Sequence, residues 1–451
     1  MKIKLRHALA SLRSTYWFIP ALMAGAAGIL GLVSVQVDRY LAHRYVDELS
    51  WVYSGGAEGA RAVLGVVAGS VMSTAGVTFS ITIAALSLAS TQLGPRLLHT
   101  FMRDVANQVV LGTFIATFVF CLLVLRTIQG EDDGGRFVPA LSVTAGVGLG
   151  LASLGVLIFF IHHVAVSIQA PNVVAGVGRE LARQVERAFP TPERVEASPP
   201  AATLPPDFDA RAALVGSAKD GYVQVLDEDA LVKIAARTGT TLVVELRPGQ
   251  FAAEGAALVR AWPPEAMSPD LARDIRRRFV VGTQRTAEQD VEFAVDQLAE
   301  VAVRALSPAI NDPFTAIACL DWLGAGLCRA ARGRTARTQL ADEGGTVRVI
   351  YRNGYTFAGL IDAAFNQIRQ FGARSPAVML RMLETLEAVV RCTGGDRDEI
   401  QTLLQHARMV HRAALEATPE PRDRADLDRR FTEVLRICGA HDAGDATPET
   451  A

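Results

Sequence analysis

Charge is missing from four long stretches at the front of this 451-residue chain: Ser14 to Val37, Ala62 to Pro95, Val105 to Leu125 and Phe137 to Ile161 hold no Asp, Glu, Lys or Arg. Ionisable groups at membrane depth serve proton-driven carriers as relays, so their absence speaks against such a carrier. It leaves open a channel lined by hydroxyls and backbone, and equally a plain anchor. Lysine is scarce as well, with only Lys2, Lys4, Lys219 and Lys233; together with the abundant Ala this suggests a GC-rich bacterial genome. A net charge of −2 gives no reason to expect a nucleic-acid partner. The five cysteines (Cys121, Cys319, Cys328, Cys392, Cys438) form no CxxC pair and no zinc-type spacing, which fits a reduced, cytoplasmic setting for the polar part. No phosphate-binding glycine loop, GxSxG or HExxH occurs. The sequence therefore nominates no catalytic residue, no metal ligand and no cofactor, and an enzyme is not expected.

What is present at the front is length. Roughly 20 apolar residues of helix, at about 1.5 Å each, cross a hydrocarbon core, and every stretch reaches that. The expected fold is an α-helical membrane protein with four transmembrane helices, at about 14–37, 62–92, 105–128 and 138–166 within residues 1–170. A small β-rich subdomain and an α-helical cytoplasmic region follow. Lys2, Lys4, Arg6 and Arg13 precede the first run, which is longer than a signal-peptide core and reads as a retained anchor. Tyr16, Trp17 and Phe18 suit the membrane–water boundary. Basic Arg96 and Arg103, with His99 and Asp104, lie between the second and third runs, and Glu131, Asp132 and Asp133 between the third and fourth. Both termini are then expected in the cytoplasm. The second run, about 34 residues or roughly 51 Å as one helix, exceeds the bilayer core. Gly76 and Gly94-Pro95 are its expected break and stop.

Behind the membrane part the reading is a helix and Pro-rich linker at 171–210, a β-rich subdomain at 211–264, a helical domain at 265–438 and a disordered tail at 439–451. Strand-like runs fall at Ala212–Ser217, Tyr222–Leu226, Thr241–Leu246 and Ala256–Ala261, with helical periodicity between Asp227 and Arg237 and a tight turn at Arg247-Pro248-Gly249-Gln250-Phe251. Ser268-Pro269-Asp270 reads as a helix cap. Arg285 to Leu306 carries a one-sided apolar stripe, and later helices are expected at Tyr355–Phe371, Pro376–Cys392, Arg397–Ala417 and Ala425–Cys438.

Three groups of residues could carry function. At 100° per residue Ser73, Ser80, Ser87 and Thr91 share one face within about 40°, with Gly69 and Gly76 beside them. That stripe serves either close helix packing or a hydrophilic pore lining. The glycines of the fourth run, from Gly146 to Gly155, read as packing. His162 and His163 point about 100° apart and do not suit one metal ion; they are interfacial histidines or a pH-sensing group. The basic run Arg276-Arg277-Arg278 is a solvated face or touches anionic headgroups.

Several phrases are more specific. They are Gln92-Leu93-Gly94-Pro95-Arg96-Leu97-Leu98, the run from Phe160 through His162-His163 to Gln169, Arg285-Thr286 with Gln289-Asp290, and Arg304 through Asn311-Asp312-Pro313 to Ala316. On these the chain resembles the bacterial predicted-membrane-protein family known as domain of unknown function 2254, over nearly its whole length to about Phe371. The resemblance implies an inner-membrane protein with a cytoplasmic carboxy-terminal region, and no activity. Where the family has Asp in its Pro-Gly-x-Phe turn, this chain has Gln250. Physically, Asn311-Asp312-Pro313 supplies acceptors at a helix start, Arg285 is in reach of Asp290, and Arg304 of Asp312. With Gln289 these form either a structural corner or a cytoplasmic ligand or ion site at a pore mouth. The expected function is an oligomeric channel or permeation protein with a cytoplasmic regulatory region. The alternative is a membrane-anchored scaffold or sensor. The expected partners are the lipid bilayer, further copies of the chain, and a cytoplasmic protein or ion ligand.

Overall fold

The computed structural model describes residues 17–41, 53–94, 104–130, 137–190, 204–333 and 338–444. The basic residues before Tyr16 and Tyr16 itself, residues 95–103, Glu131 to Asp133, and Pro199 and Pro200 lie outside them. The chain divides into two units, Met1–Gln169 and Ala170–Ala451.

The first unit contains α1 (Phe18–Leu41), α2 (Ala57–Leu93), α3 (Val105–Leu125) and α4 (Ala140–Ser167). α3 is the hub, packed by the other three. Leu64, Phe120, Cys121, Val124 and Val143 fill one core layer, and Val71, Val110, Phe114 and Phe160 another. Close approach of α4 to α2 depends on small residues: a Cβ at Gly146 would lie 2.6 Å from Leu64 Cδ2, and one at Gly150 2.9 Å from Val67 Cγ1. The packing reading holds for Gly146 and Gly150, whereas Gly148 and Gly155 are exposed with no atom within 4 Å of a Cβ built there. The outward surface of the unit is apolar, with Leu22, Ile29, Leu151 and Ile158 all more than half exposed.

Two expectations for this unit change. α2 runs through Gly76 without a break, because a lone glycine weakens a helix but leaves its backbone hydrogen bonds intact. Its 37 residues span roughly 55 Å, and it stops at Gly94, whose φ of 116° only glycine adopts readily. α1 also continues past Val37 to include Asp38, a carboxylate the charge-free runs excluded. Asp38 is 3% exposed. It accepts from the backbone N–H groups of Leu141 and Ser142 at 2.9 Å and from Ser142 Oγ at 2.5 Å. It therefore caps the amino terminus of α4 from a neighbouring helix, where orphan N–H groups and the helix dipole favour an anion.

The second unit begins with α5 (Ala170–Ala188) and a short α6 (Phe208–Arg211). Its β part has two sheets. One holds β1 (Ala213–Gly216), β5 (Ala257–Trp262), β3 (Thr241–Val244), β8 (Val347–Tyr351) and β7 (Gln339–Ala341), in that order. The other holds β4 (Phe251–Ala252), β2 (Gly221–Leu226) and β6 (Phe279–Gly282). The four strand-like runs of the sequence match β1, β2, β3 and β5. The sheets are not confined to 211–264, however: β8 pairs in parallel with β3 from about a hundred residues downstream, and β6 pairs with β2. Strands as short as β4 and β7 carry too few side chains to show a period. Helix α7 (Glu228–Thr238) is capped by Asp227, which accepts from Ala230 N–H, and ends at left-handed Gly239. Leu231, Ile234, Leu242, Leu258, Ile275 and Val349 fill the core beneath it.

The helical remainder comprises α8 (Pro269–Arg276), capped by Ser268 as expected, α9 (Val291–Ala305), α10 (Pro313–Gly333), α11 (Phe357–Gly372), α12 (Pro376–Val390), α13 (Arg397–Ala417) and α14 (Pro421–Gly444). α9 starts later than Arg285 because Asp290 caps it, accepting from Phe293 N–H at 3.1 Å. α14 continues through Gly444, so the expected tail from 439 is helical for its first turns. Among the described residues, five helices are long and apolar enough to cross a membrane: Phe18–Tyr40, Ala57–Gln92, Val105–Leu125, Ala140–Ser167 and Pro313–Gly333. That is one more than the four expected. α10 is the addition, and it packs against α5, α9 and α12.

Candidate functional site

The hydroxyl stripe of α2 lies on the unit's outer face. Gly69, Ser73, Gly76, Ser80, Ser87 and Thr91 are all exposed, whereas Ala60, Leu64, Ala68, Val71 and Ala75 on the opposite face are buried. No atom approaches within 4 Å of a Cβ built at Gly69 or Gly76. Ser73 and Ser80 donate to the carbonyls of Gly69 and Gly76, and Thr91 to that of Leu88, each at 2.9 Å. Their protons are thus satisfied within the helix, while their oxygens face outward.

His162 and His163 separate as helical geometry requires. His162 is exposed. His163 Nε2 lies 2.5 Å from Asp104 Oδ2, and its ring stacks on Phe159. Asp104 also caps α3, accepting from Ala106 N–H. The pair ties the end of α4 to the start of α3.

In the second unit the residues of the Arg285 region gather around a buried ion cluster. Arg285 Nε and Nη1 reach Asp290 and Asp296, each at 2.7 Å. The Asp290 side chain is 0% exposed. Burial raises its carboxyl above the usual range, against the pull of Arg285, the Phe293 N–H and Arg247. Burial also works against the Arg285 charge, but Asp290 and Asp296 together outweigh it and hold the guanidinium proton more tightly than usual. Gln289 uses both amide atoms on one backbone site, accepting from Leu226 N–H at 2.7 Å and donating to Leu226 C=O at 3.1 Å. It pins the loop before α9 to β2. Gly249, at φ 95°, passes so near Asp290 that a Cβ there would strike the carboxylate.

Asn311 and Asp312 are not brought to this cluster. Asp312 caps α10, accepting from Thr315 N–H at 3.1 Å and Thr315 Oγ1 at 2.5 Å. Exposed Asn311 takes a left-handed turn at φ 50°. Arg304 pairs with Glu300, one turn back on α9, and not with Asp312. The basic run is equally local: Arg276 donates to Gly216 C=O, Arg278 pairs with Asp274, and Arg277 is exposed.

Beside the ion cluster lies a cavity of about 310 Å³ lined by segments distant in sequence. Gln184, Arg187 and Ala188 come from α5, Glu228 from the first turn of α7, and Arg247 and Pro248 from the turn after β3. Glu288 and Gln289 come from the loop before α9, Val291 from α9 itself, Tyr351 from β8, and Gly354 and Tyr355 from the loop before α11. Arg247 is 9% exposed. Its Nη2 donates to Glu292 at 2.6 Å and its guanidinium sits 4.0 Å from the centre of the Tyr355 ring. Its buried Nε has no acceptor. Gln250 fixes the turn by accepting from Arg247 N–H at 2.9 Å. Tyr355 Oη donates to the carbonyl of Gln289 at 2.8 Å, and burial, then the Asp290 charge, raises its phenol. Tyr351 Oη donates to Glu228 at 2.5 Å. The sequence reading named Gln289 and the Arg247 turn but not Arg187, Glu228, Glu288, Tyr351 or Tyr355. Only the pairing of β8 with β3 assembles them, and no short spacing carries that signal. Among the described residues no group of three or more His, Cys, Asp or Glu side chains is placed to hold a metal ion.

These features define a membrane protein with a substantial second unit of mixed sheet and helix. The family model described as "Predicted membrane protein (DUF2254)" matches residues 13–388, and the chain belongs to that family. It is 32% identical over 441 residues to an uncharacterised protein of Mycobacterium tuberculosis H37Rv and, at the same level, to one of Mycobacterium bovis. Each alignment covers 95% of this chain and 82% of the relative. No solved structure matches.

Proposed function

We propose that the protein is an oligomeric channel or permeation protein of the bacterial inner membrane, with α1 to α4 spanning the bilayer and both termini in the cytoplasm. In this reading α10 is a core helix of the second unit, supported by its packing among α5, α9 and α12 and by Asp321, Arg329 and Arg332 along it. The observation that carries the proposal is the outward stripe of α2. A face of glycine and hydroxyl on the outside of an apolar bundle gains little from lipid tails. It suits the same face of neighbouring copies, where small residues permit close approach and the outward oxygens form a polar path. Purified protein in liposomes should then pass small ions, and Ser73→Leu, Ser80→Leu and Ser87→Leu should each block flux. Flux unchanged by all three removes the lining.

A second reading, a membrane-anchored scaffold or sensor, draws support from the cavity of the second unit. Its walls, drawn from five segments and mixing charged with aromatic side chains, have the form of a ligand site. This reading expects binding to that unit whether or not ions cross the membrane.

A further inference from the structure

Of the five cysteines, Cys121, Cys319 and Cys438 are buried, and Cys328 and Cys392 keep part of their surface open. Those two meet each other although far apart in sequence. Helices α10 and α12 lie side by side in parallel, and their contacts advance about one turn at a time. Arg381 lies 3.5 Å from Asp321, and a Cβ at Gly324 would fall 2.6 Å from Thr385 Cγ2. Next, the Cys328 thiol donates to the carbonyl of Ala388 at 3.5 Å, and Arg332 Nη2 lies 3.6 Å from Cys392 Sγ. Cys392 is one turn beyond Ala388, just past the end of α12, and the two thiols share a hydrogen bond. Its N–H bonds the carbonyl of Val389, so the helical ladder has ended there. The backbone is then free to settle into disulfide geometry, with Cα atoms about 4.4–6.8 Å apart. Reactive thiols are partly open and stand beside cations, whereas buried ones are inert. Burial, then Cys392 itself, pushes the Cys328 thiol up to about 12. Cys392, beside exposed Arg332, is therefore the sulfur that meets an oxidant.

We propose that Cys328 and Cys392 form a redox-modification site, which hydrogen peroxide converts to a reversible disulfide clamping α10 to the end of α12. The Cys392 sulfur attacks one peroxide oxygen. An S–O bond forms, the O–O bond breaks, and the departing hydroxide takes up a proton as water. The Cys328 sulfur then attacks the sulfenic sulfur of Cys392. The S–S bond forms as the S–O bond breaks, and the hydroxide leaves with the Cys328 proton as a second water. The two sulfurs together lose two electrons to the peroxide, and a dithiol returns them. Such pairs in a reducing compartment are transient and redox-sensing. Neither flux through α2 nor a ligand in the second unit enters into this clamp.

The test uses the full-length protein in lipid nanodiscs, reduced and then exposed to hydrogen peroxide. Remaining thiols are blocked in denaturant, and the tryptic peptides are read by mass spectrometry. The expected product joins Cys328 to Cys392, two hydrogens lighter than the thiols, while Cys121, Cys319 and Cys438 are recovered blocked. Dithiothreitol should restore both thiols. In Cys328→Ser the sulfenic acid should persist on Cys392 and be trapped by dimedone, whereas Cys392→Ser should show no dimedone label on Cys328. Circular dichroism verifies the fold of both variants. Oxidation should also raise the thermal midpoint of the wild type, and dithiothreitol should reverse the rise. Absence of a disulfide in folded protein, or pairing with any other cysteine, overturns the site. Dimedone label on Cys328 in Cys392→Ser overturns the order of attack. A disulfide that forms and leaves the midpoint unmoved overturns the clamp.

Discussion

In the first unit, polar groups are met close to home. The hydroxyls of Ser73, Thr74 and Ser80 close on carbonyls one turn back, and Thr117 meets Ser153 across one helix contact. In the second unit, polar groups are met at long range and with charge. Arg247 reaches Glu292, Arg352 reaches Asp209, and Arg430 reaches Glu384 and Glu387. The contrast follows from solvent. A surface in hydrocarbon has no water to satisfy a stray donor, so side chains bond inside their own helix. A unit rich in charged side chains can use ion pairs between distant segments to fix loops to strands. The first unit has long-range polar contacts too, among them Arg61 to the carbonyl of Ile128, Asp38 to Ser142 and Asp104 to His163; the two carboxylates share a feature. Both lie near helix ends and both cap a helix amino terminus.

The largest effect on this contrast should come from Asp290. Truncating it to Ala leaves Arg285 half-buried with one carboxylate lost, and removes the cap of α9. Breaking a buried pair in this way costs about 3–5 kcal/mol. Chemical denaturation of the full chain in detergent, followed by Trp fluorescence, should show a destabilised second unit. A loss below about 1 kcal/mol would mean that the cluster contributes little. Asp38→Ala is the counterpart in the first unit. It removes charge-assisted hydrogen bonds to two backbone N–H groups and a hydroxyl, worth about 1.5–3 kcal/mol. Asn at this position keeps an acceptor and should recover part of that. If Asp38→Ala unfolds no more readily than wild type, the cap is not holding α4.

How far these sites could be read from sequence depended on whether the cause was local. The apolar runs, the Ser268 cap and the stripe of α9 all arise from residues a turn or so apart, and the sequence shows them directly. The separation of His162 from His163 followed from the helix angle alone. Asp38 was read as outside the first span, because a charge ordinarily ends an apolar run; its reason for staying helical lies over a hundred residues away at Ser142. Asn311 and Asp312 were grouped with Arg285 by nearness in sequence, yet the turn at Asn311 places Asp312 on the next helix as its cap. The cavity needed β8 beside β3, a parallel pairing with no local signature.

A smaller effect tests the second unit through pH. His406 of α13 is 3% exposed, with Nε2 3.1 Å from Asp362 of α11 and Arg369 nearby. Burial lowers its pKa despite the attraction of Asp362. The unfolded chain therefore takes up the proton first as pH falls. The stability this neutral histidine permits is intact above its unfolded pKa near 6.5 and declines as pH drops below it. The thermal midpoint of the second unit should fall between pH 7.5 and 5.5, and His406→Gln, which keeps a donor toward Asp362 but does not titrate there, should flatten that fall. An equal slope in the variant would assign the acid sensitivity to other groups.

The smallest folding effect belongs to the outward stripe, and it divides the two readings. Ser73 and Ser80 are exposed and donate within their own helix, so Ser73→Leu and Ser80→Leu should change the protomer's unfolding free energy by no more than about 0.5 kcal/mol. The same changes place bulky side chains where close approach between copies needs small ones. Native mass spectrometry from lipid nanodiscs should then show fewer or looser oligomers alongside unaltered protomer stability. A large loss of protomer stability would mean that the stripe packs inside one chain after all. Unchanged stability together with unchanged assembly would leave it facing lipid, and the case for a path between copies would go with it.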